Sequence, residues 1–278
     1  MTIRRLCLGT STFAAGRQHP DKDSAPGIAA FADALRAGVR MVHSAPKYGT
    51  QPAARQAWEA AGCPTDVMHL IKVELAVDVS MAQTKTAISD VLESSARNLR
   101  ADRLHALVVG VDLRRTADRA RLVDYGALTA FYERCAETAN ACGLVDYTFG
   151  YAHSPGQLTA ALATDAIAGA AAQYNSTEAW PAVFLDRIAA SGRPFIAIAP
   201  LRRGRLVDHD ATDAHSRLRA LRWVLGHPAV TAAALTVSSR AHLAEALDAA
   251  QHPLTVQQVR DDLRYWLAAP VAHGNRPI

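Results

Sequence analysis

The chain is poor in several things that would have set its class at once. It has 4 cysteines in 278 residues, and Cys7, Cys63, Cys135 and Cys142 are scattered with no Cys-x-x-Cys pair. That spacing excludes a disulfide framework and a thiolate zinc site, and implies reduced thiols. No apolar run is long enough to cross a bilayer, and the opening MTIRRLCLGTSTF lacks a signal-peptide core. The expectation is a cytoplasmic protein with no membrane partner. Lysine is scarce, at Lys22, Lys47, Lys72 and Lys85 only, and the net charge is just +4. No basic run is interleaved with aromatics, so a nucleic-acid partner is not expected. The first strand-like segment runs into LGTSTF without the G-x-G-x-x-G fingerprint of a dinucleotide-binding open sheet.

What the chain has is alternation. Half of it is apolar, enough to bury a large core. Strand-like segments lie at 5–10, 39–44, 66–74, 103–110, 145–151, 166–174, 193–200 and 229–236. Helical segments follow each of them, at 27–38, 51–62, 80–100, 125–143, 154–163, 180–192, 213–227 and 240–250, with a helical tail at about 255–268. Ser80 and Ser154 stand where N-caps belong, and Pro155 sits at a first helical position. Continuous apolar strands such as HALVV and TAAAL suit strands buried on both faces. Eight strand–helix units without a linker predict a single-domain α/β fold, a (β/α)8 TIM barrel over residues 1–278.

A barrel places its chemistry at the C-terminal ends of its strands. That rule brings Tyr48, after the second strand, close to Lys72, at the end of the third. An ammonium beside a phenol favours phenolate, which would suit Tyr48 to general acid–base work tuned by Lys72. The same rule nominates His43, Glu74, Gly110, Asp112, Tyr151, His153, Gln173, Arg202, Arg203, Ser238 and Arg240. Trp180 opens the sixth helix as a candidate pocket wall. The arginines at 202, 203, 205 and 240 suit an anionic group, either on the substrate or on a nucleotide.

At these residues the chain resembles an aldo-keto reductase. LCLGTSTF, GVRMVHSAPKYG, LIKVE, QYN at 173–175, APLRRGRL at 199–206 and LTVSSRAHLAEAL at 235–247 follow that family's motifs in order. The resemblance implies carbonyl reduction with NADPH by a tetrad of aspartate, tyrosine, lysine and histidine. The tyrosine and lysine map onto Tyr48 and Lys72. His43 stands at the aspartate position and Gly110 at the histidine position. The nicotinamide-holding pair maps onto Tyr151 and Ala152, its companion onto Gln173, and the stacking aromatic onto Ile198. The phosphate-end loop has Thr236 and Ala246 in place of a glycine and an asparagine, while Ser238, Ser239 and Arg240 remain able to grip a phosphate.

With half the tetrad replaced, the reading favours a departure from redox chemistry. A lyase or isomerase with no cofactor would eliminate water, isomerise or close a ring on a small metabolite. Tyr48 would be its acid/base, Lys72 would tune it and His43 would be a second proton carrier. Gly110, Asp112, Glu74, Tyr151, His153 and Trp180 would surround the substrate, with space left by the missing side chain at Gly110. The alternative is an NADPH-dependent reductase with an altered tetrad, using Gln173, Arg202, Arg203, Ser238 and Arg240 for the cofactor. A non-catalytic binding protein on the same fold is the third reading.

Overall fold

The computed structural model describes the backbone of residues 3–202 and 214–268, and the side chains of residues 5–202 and 217–262. Eight strands close into a barrel in which each pairs in parallel with the next and β8 returns to β1. They are β1 (Ile3–Gly9), β2 (Val39–Ser44), β3 (Met68–Leu75), β4 (Ala106–Val111), β5 (Tyr147–Ala152), β6 (Gly169–Gln173), β7 (Phe195–Ile198) and β8 (Val230–Leu235). The helices that cross over between them are α1 (Ala25–Arg36), α2 (Gln51–Ala60), α3 (Met81–Leu99), α4 (Tyr125–Cys142), α5 (Pro155–Ala163), α6 (Ala182–Ala190) and α7 (Ala214–Gly226). Then come α8 (Arg240–Gln251) and α9 (Val256–Ala268). The single-domain (β/α)8 barrel expected from the alternation is the fold observed.

Two packed layers hold it together. Inside the barrel Cys7, Met41, Leu70, Val108, Phe149, Ala171, Ile196 and Ala232 interdigitate. Between strands and helices a larger core gathers residues such as Leu8, Phe31, Leu92, Leu107, Phe131, Leu158 and Val224. Alternation along each strand sends successive residues to these two layers. His43 therefore faces inward two residues after Met41. Ser44 faces outward, where the buried Gln51 amide donates to its Oγ at 3.2 Å.

Helix ends follow their caps. Ser80 accepts from the backbone N–H of Gln83, whose side chain returns the bond, and Ser154 caps α5 ahead of Pro155. Two short 3-10 turns were not expected, and one of them bears on the site. A 3-10 turn over Pro46–Tyr48 ends at Gly49 with φ +74°, a conformation glycine adopts without strain. This turn holds Tyr48 at the barrel mouth.

Candidate functional site

The strand ends converge on one cavity of about 550 Å³ at the C-terminal mouth. Every strand except β4 delivers a residue to it. Gly9 comes from β1, His43 from β2, Lys72 from β3, Tyr151 from β5, Gln173 from β6, Ile198 from β7 and Ala234 from β8. Tyr48, half-buried on its turn, lines the same cavity.

At the floor, Lys72 is buried, with a carboxylate and an aromatic ring close to its ammonium. Nζ lies 2.8 Å from Oε1 of Glu74 and 3.8 Å from the centroid of the Tyr151 ring. The ring face attracts the cation as the carboxylate does, with less strength. Lys47 donates to the other oxygen, Oε2, of Glu74. His153 Nε2 stands 3.7 Å from Oε1, an electrostatic approach rather than a hydrogen bond. Burial pushes the Glu74 carboxyl up, but the nearby His153, Lys72 and Lys47 outweigh it and hold the pKa well below the usual carboxylate range. The Tyr151 and His153 rings meet edge to face at 4.7 Å.

His43 is sealed beneath this group. Burial first, and then the Lys72 charge, push its pKa down to about 3. Its imidazole is therefore neutral at neutral pH, and its Nε2 has no hydrogen-bond partner. Buried polar atoms in native proteins are normally satisfied, so this nitrogen in a cavity-lining residue is an exception.

Gly110 does not open space for a larger substrate. In register it sits between Glu74 on β3 and Tyr151 on β5. A Cβ there would meet Tyr151 Cδ1 at 3.2 Å and Glu74 Cγ at 3.3 Å, so these neighbours already fill the place of the absent side chain.

The structure separates the remaining candidates. Asp112 lies off the cavity lining and accepts from the backbone N–H groups of Arg114 and Arg115 in its own turn. His153 reaches the site only through Glu74 and Tyr151. Trp180 packs edge-on against Phe184 and does not line the cavity. Arg240 swings outward to Asp33 on α1, with Nε 2.8 Å from Oδ2. Arg202 is exposed, and Arg203 lies outside the described residues. Ser238 does line the cavity, and its Oγ lies 3.0 Å from Nδ1 of His242.

Four titratable lining residues escaped the sequence reading. Arg217 on α7 makes a two-pronged ion pair with Glu245 on α8, at 2.9 and 2.8 Å. His242 adjoins them, and Lys22 holds the carbonyl oxygen of Thr12 across the β1 loop. His242 and Glu245 are three residues apart and so share a helix face, a pattern legible once the cap at Ser239 is placed. Behind the rim, the buried Asn175 of the QYN motif donates to the carbonyl oxygen of Ala199, whose φ of +51° is unusual for a residue with a side chain.

Among the described residues no cluster of histidine, cysteine and carboxylate side chains suits a metal ion, and no helix is long and apolar enough to cross a membrane.

No protein-family model matches the chain, and no curated protein matches it in sequence. Solved structures do match. An aldo-keto reductase from Bacillus halodurans, in its holo form, superposes with a TM-score of 0.72 at 17% identity, over 98% of this chain and 95% of that one. A putative 2,5-diketo-D-gluconic acid reductase B gives 0.70 at 21% identity, over 100% and 95%. An aldo/keto reductase from Klebsiella pneumoniae, in complex with NADP and acetate, gives 0.68 at 19% identity, over 99% of both chains. These counterparts are reductases, one of them holding NADP. They overturn the expectation of a cofactor-free lyase or isomerase and favour its reductase alternative. The chain has the aldo-keto reductase fold.

Proposed function

We propose that the protein is an NADPH-dependent reductase of small carbonyl compounds, working with a rearranged set of site residues. The observation that carries this reading is the convergence of Tyr48, Lys72, His43 and Gln173 on one cavity in the mouth of a barrel whose counterparts include an NADP complex.

The residues present fit the dinucleotide. His43 Nε2 is a buried polar atom in want of a partner, and the Gln173 amide is half-buried on the wall. Ser238 and His242 sit at the N-terminal end of α8, where backbone N–H groups and the helix dipole favour a phosphate. The Glu245 carboxylate beside them is neutralised by Arg217 and does not repel an anion. Gln173 would hold the nicotinamide end, against Ile198 in place of an aromatic ring, and Ser238, His242 and Arg217 the phosphate end. Bound there, NADPH would supply the hydride that reduces a carbonyl carbon.

The chain's own residues then manage the oxygen. Tyr48 donates a proton to it, contributing on the order of a hundredfold or more. Lys72, held by Glu74, faces the developing negative charge with a fixed positive one, an arrangement that needs no reorganisation during the reaction. His43 stays neutral and offers Nε2 to a substrate oxygen or an ordered water.

The test is NADPH consumption by purified protein against a panel of aldehydes, ketones and oxo acids. Turnover that disappears in Tyr48→Phe while cofactor binding persists supports the reading. Absence of turnover together with absence of NADPH binding removes it.

A further inference from the structure

We infer that Glu74 and Tyr151 form a clamp that fixes the Lys72 ammonium, and that this clamp supplies from β3 and β5 what a carboxylate at position 43 of β2 would otherwise supply. Its catalytic consequence rests on the reductase reading; the clamp itself does not.

Three observations carry it. The first is geometric. Lys72 and Glu74 are two residues apart on one strand and so share its inward face; Nζ and Oε1 are 2.8 Å apart. The Tyr151 ring covers the ammonium at 3.8 Å. The second is that the carboxylate is itself fixed. Its other oxygen accepts from Lys47, and His153 stands 3.7 Å from Oε1 while its ring abuts that of Tyr151. The third is Gly110. It lies in register between Glu74 and Tyr151, and a Cβ on it would press on both, at 3.3 and 3.2 Å. Glycine at this point of β4 lets the two partners meet over Lys72.

The electrostatic logic is simple. A buried ammonium without an anion is costly, and the inward residue of β2 here is a neutral imidazole. Moving the anion two residues along β3 restores the balance. It also changes direction, because the carboxylate now holds Nζ along its own strand instead of from the neighbouring one. Glu74 and Tyr151 are therefore positioning residues, acting on the reaction through Lys72.

The groups around Lys72 in the site are Tyr48 on its turn, His43 on β2, Glu74 on β3, Tyr151 and His153 on β5, and Lys47. With only four lysines in the chain, selective carbon-13 labelling at lysine Cε lets the Lys72 titration be followed by NMR in the protein alone. Glu74→Gln should lower the Lys72 midpoint by at least about one pH unit. Tyr151→Leu should lower it by less, and Tyr151→Phe should leave it in place, since the ring face is kept. His43→Asp added to Glu74→Gln should bring the midpoint back. An unmoved midpoint in a folded Glu74→Gln protein overturns the clamp. If that variant does not fold, the Tyr151 pair decides: equal midpoints for Leu and Phe overturn it. Kinetically, Glu74→Gln should lower kcat at least tenfold with NADPH affinity unchanged. A wild type that never consumes NADPH would fail the reductase reading while leaving the titration to judge the clamp.

Discussion

The floor and the rim of the cavity are built on different principles. At the floor, β2, β3 and β5 deliver His43, Lys72, Glu74 and Tyr151 from rigid strands, and carboxylate and ring both lie within 4 Å of the ammonium. At the rim, α7 and α8 deliver Arg217, His242 and Glu245 from helices, and the Arg217 and Glu245 charges meet through long side chains at 2.8 and 2.9 Å. Strand-borne groups cannot shift without moving the barrel, whereas helix-borne ones can adjust around a ligand. On the proposed reductase reading, bond-making belongs to the floor and the turn that carries Tyr48, and affinity to the rim, a division that can be broken at either end.

The largest effect is expected at Tyr48, the bond-making residue on the turn after β2. Tyr48→Phe removes the proton donor while keeping the ring, and kcat should fall by about a hundredfold to ten-thousandfold with NADPH affinity retained. A variant that keeps its kcat would move the proton donor elsewhere.

Next comes the pH dependence of stability. His43 has a folded pKa of about 3, below its ordinary value of 6.5. Between those values the unfolded chain binds a proton that the folded chain does not, so stability falls as pH falls. The slope from this group is about 1.4 kcal/mol per pH unit. Replacing it with His43→Leu should flatten the acid limb of denaturant-melt stabilities measured from pH 7 to pH 4. Glu74 adds in the same direction at lower pH, because a lowered carboxyl pKa stabilises above the unfolded value and is lost as pH drops through the folded one. An unchanged limb in His43→Leu would mean the imidazole is not held neutral by folding.

A smaller effect belongs to Gly110→Ala. The added methyl group must displace Tyr151 or Glu74 by a few tenths of an ångström, costing about 1–3 kcal/mol as an overpacked site. Thermal melts read the cost, and a neutral result would show that the two partners can part freely.

The smallest effect is placed at the rim. Arg217→Ala leaves Glu245 facing the phosphate end alone, so NADPH affinity should weaken about tenfold, some 1.4 kcal/mol, with kcat at saturation little altered. A large loss of kcat instead would erase the division between floor and rim.

The floor was more legible than the rim, and the reason is periodicity. Strand β2 was read to the residue, Val39–Ser44, because a barrel strand is an apolar run closed by turn residues. From it followed His43 and Tyr48, and from β3 came Lys72. What alternation could not decide was whether Glu74 faces in, since a polar residue at a strand end has no apolar neighbours to declare its face. Its ion pair with the inward Lys72, two residues back on the same strand, decides it. Arg240 was misplaced for a related reason. It opens α8 just past the strand end, but its long side chain reaches Asp33 on α1, a partner 207 residues earlier in the chain. Asp112 looked like a site carboxylate and is a turn-former, a role aspartate fills more often than catalysis. Arg217 and Glu245 stayed hidden because a polar helix face reads as solvated until a second helix is brought against it.

The most direct measurement is a calorimetric titration of the wild-type protein with NADPH. The account predicts saturable one-site binding with a dissociation constant on the order of micromolar, weakened by Arg217→Ala and unaffected by Tyr48→Phe. A flat titration at millimolar cofactor would contradict it.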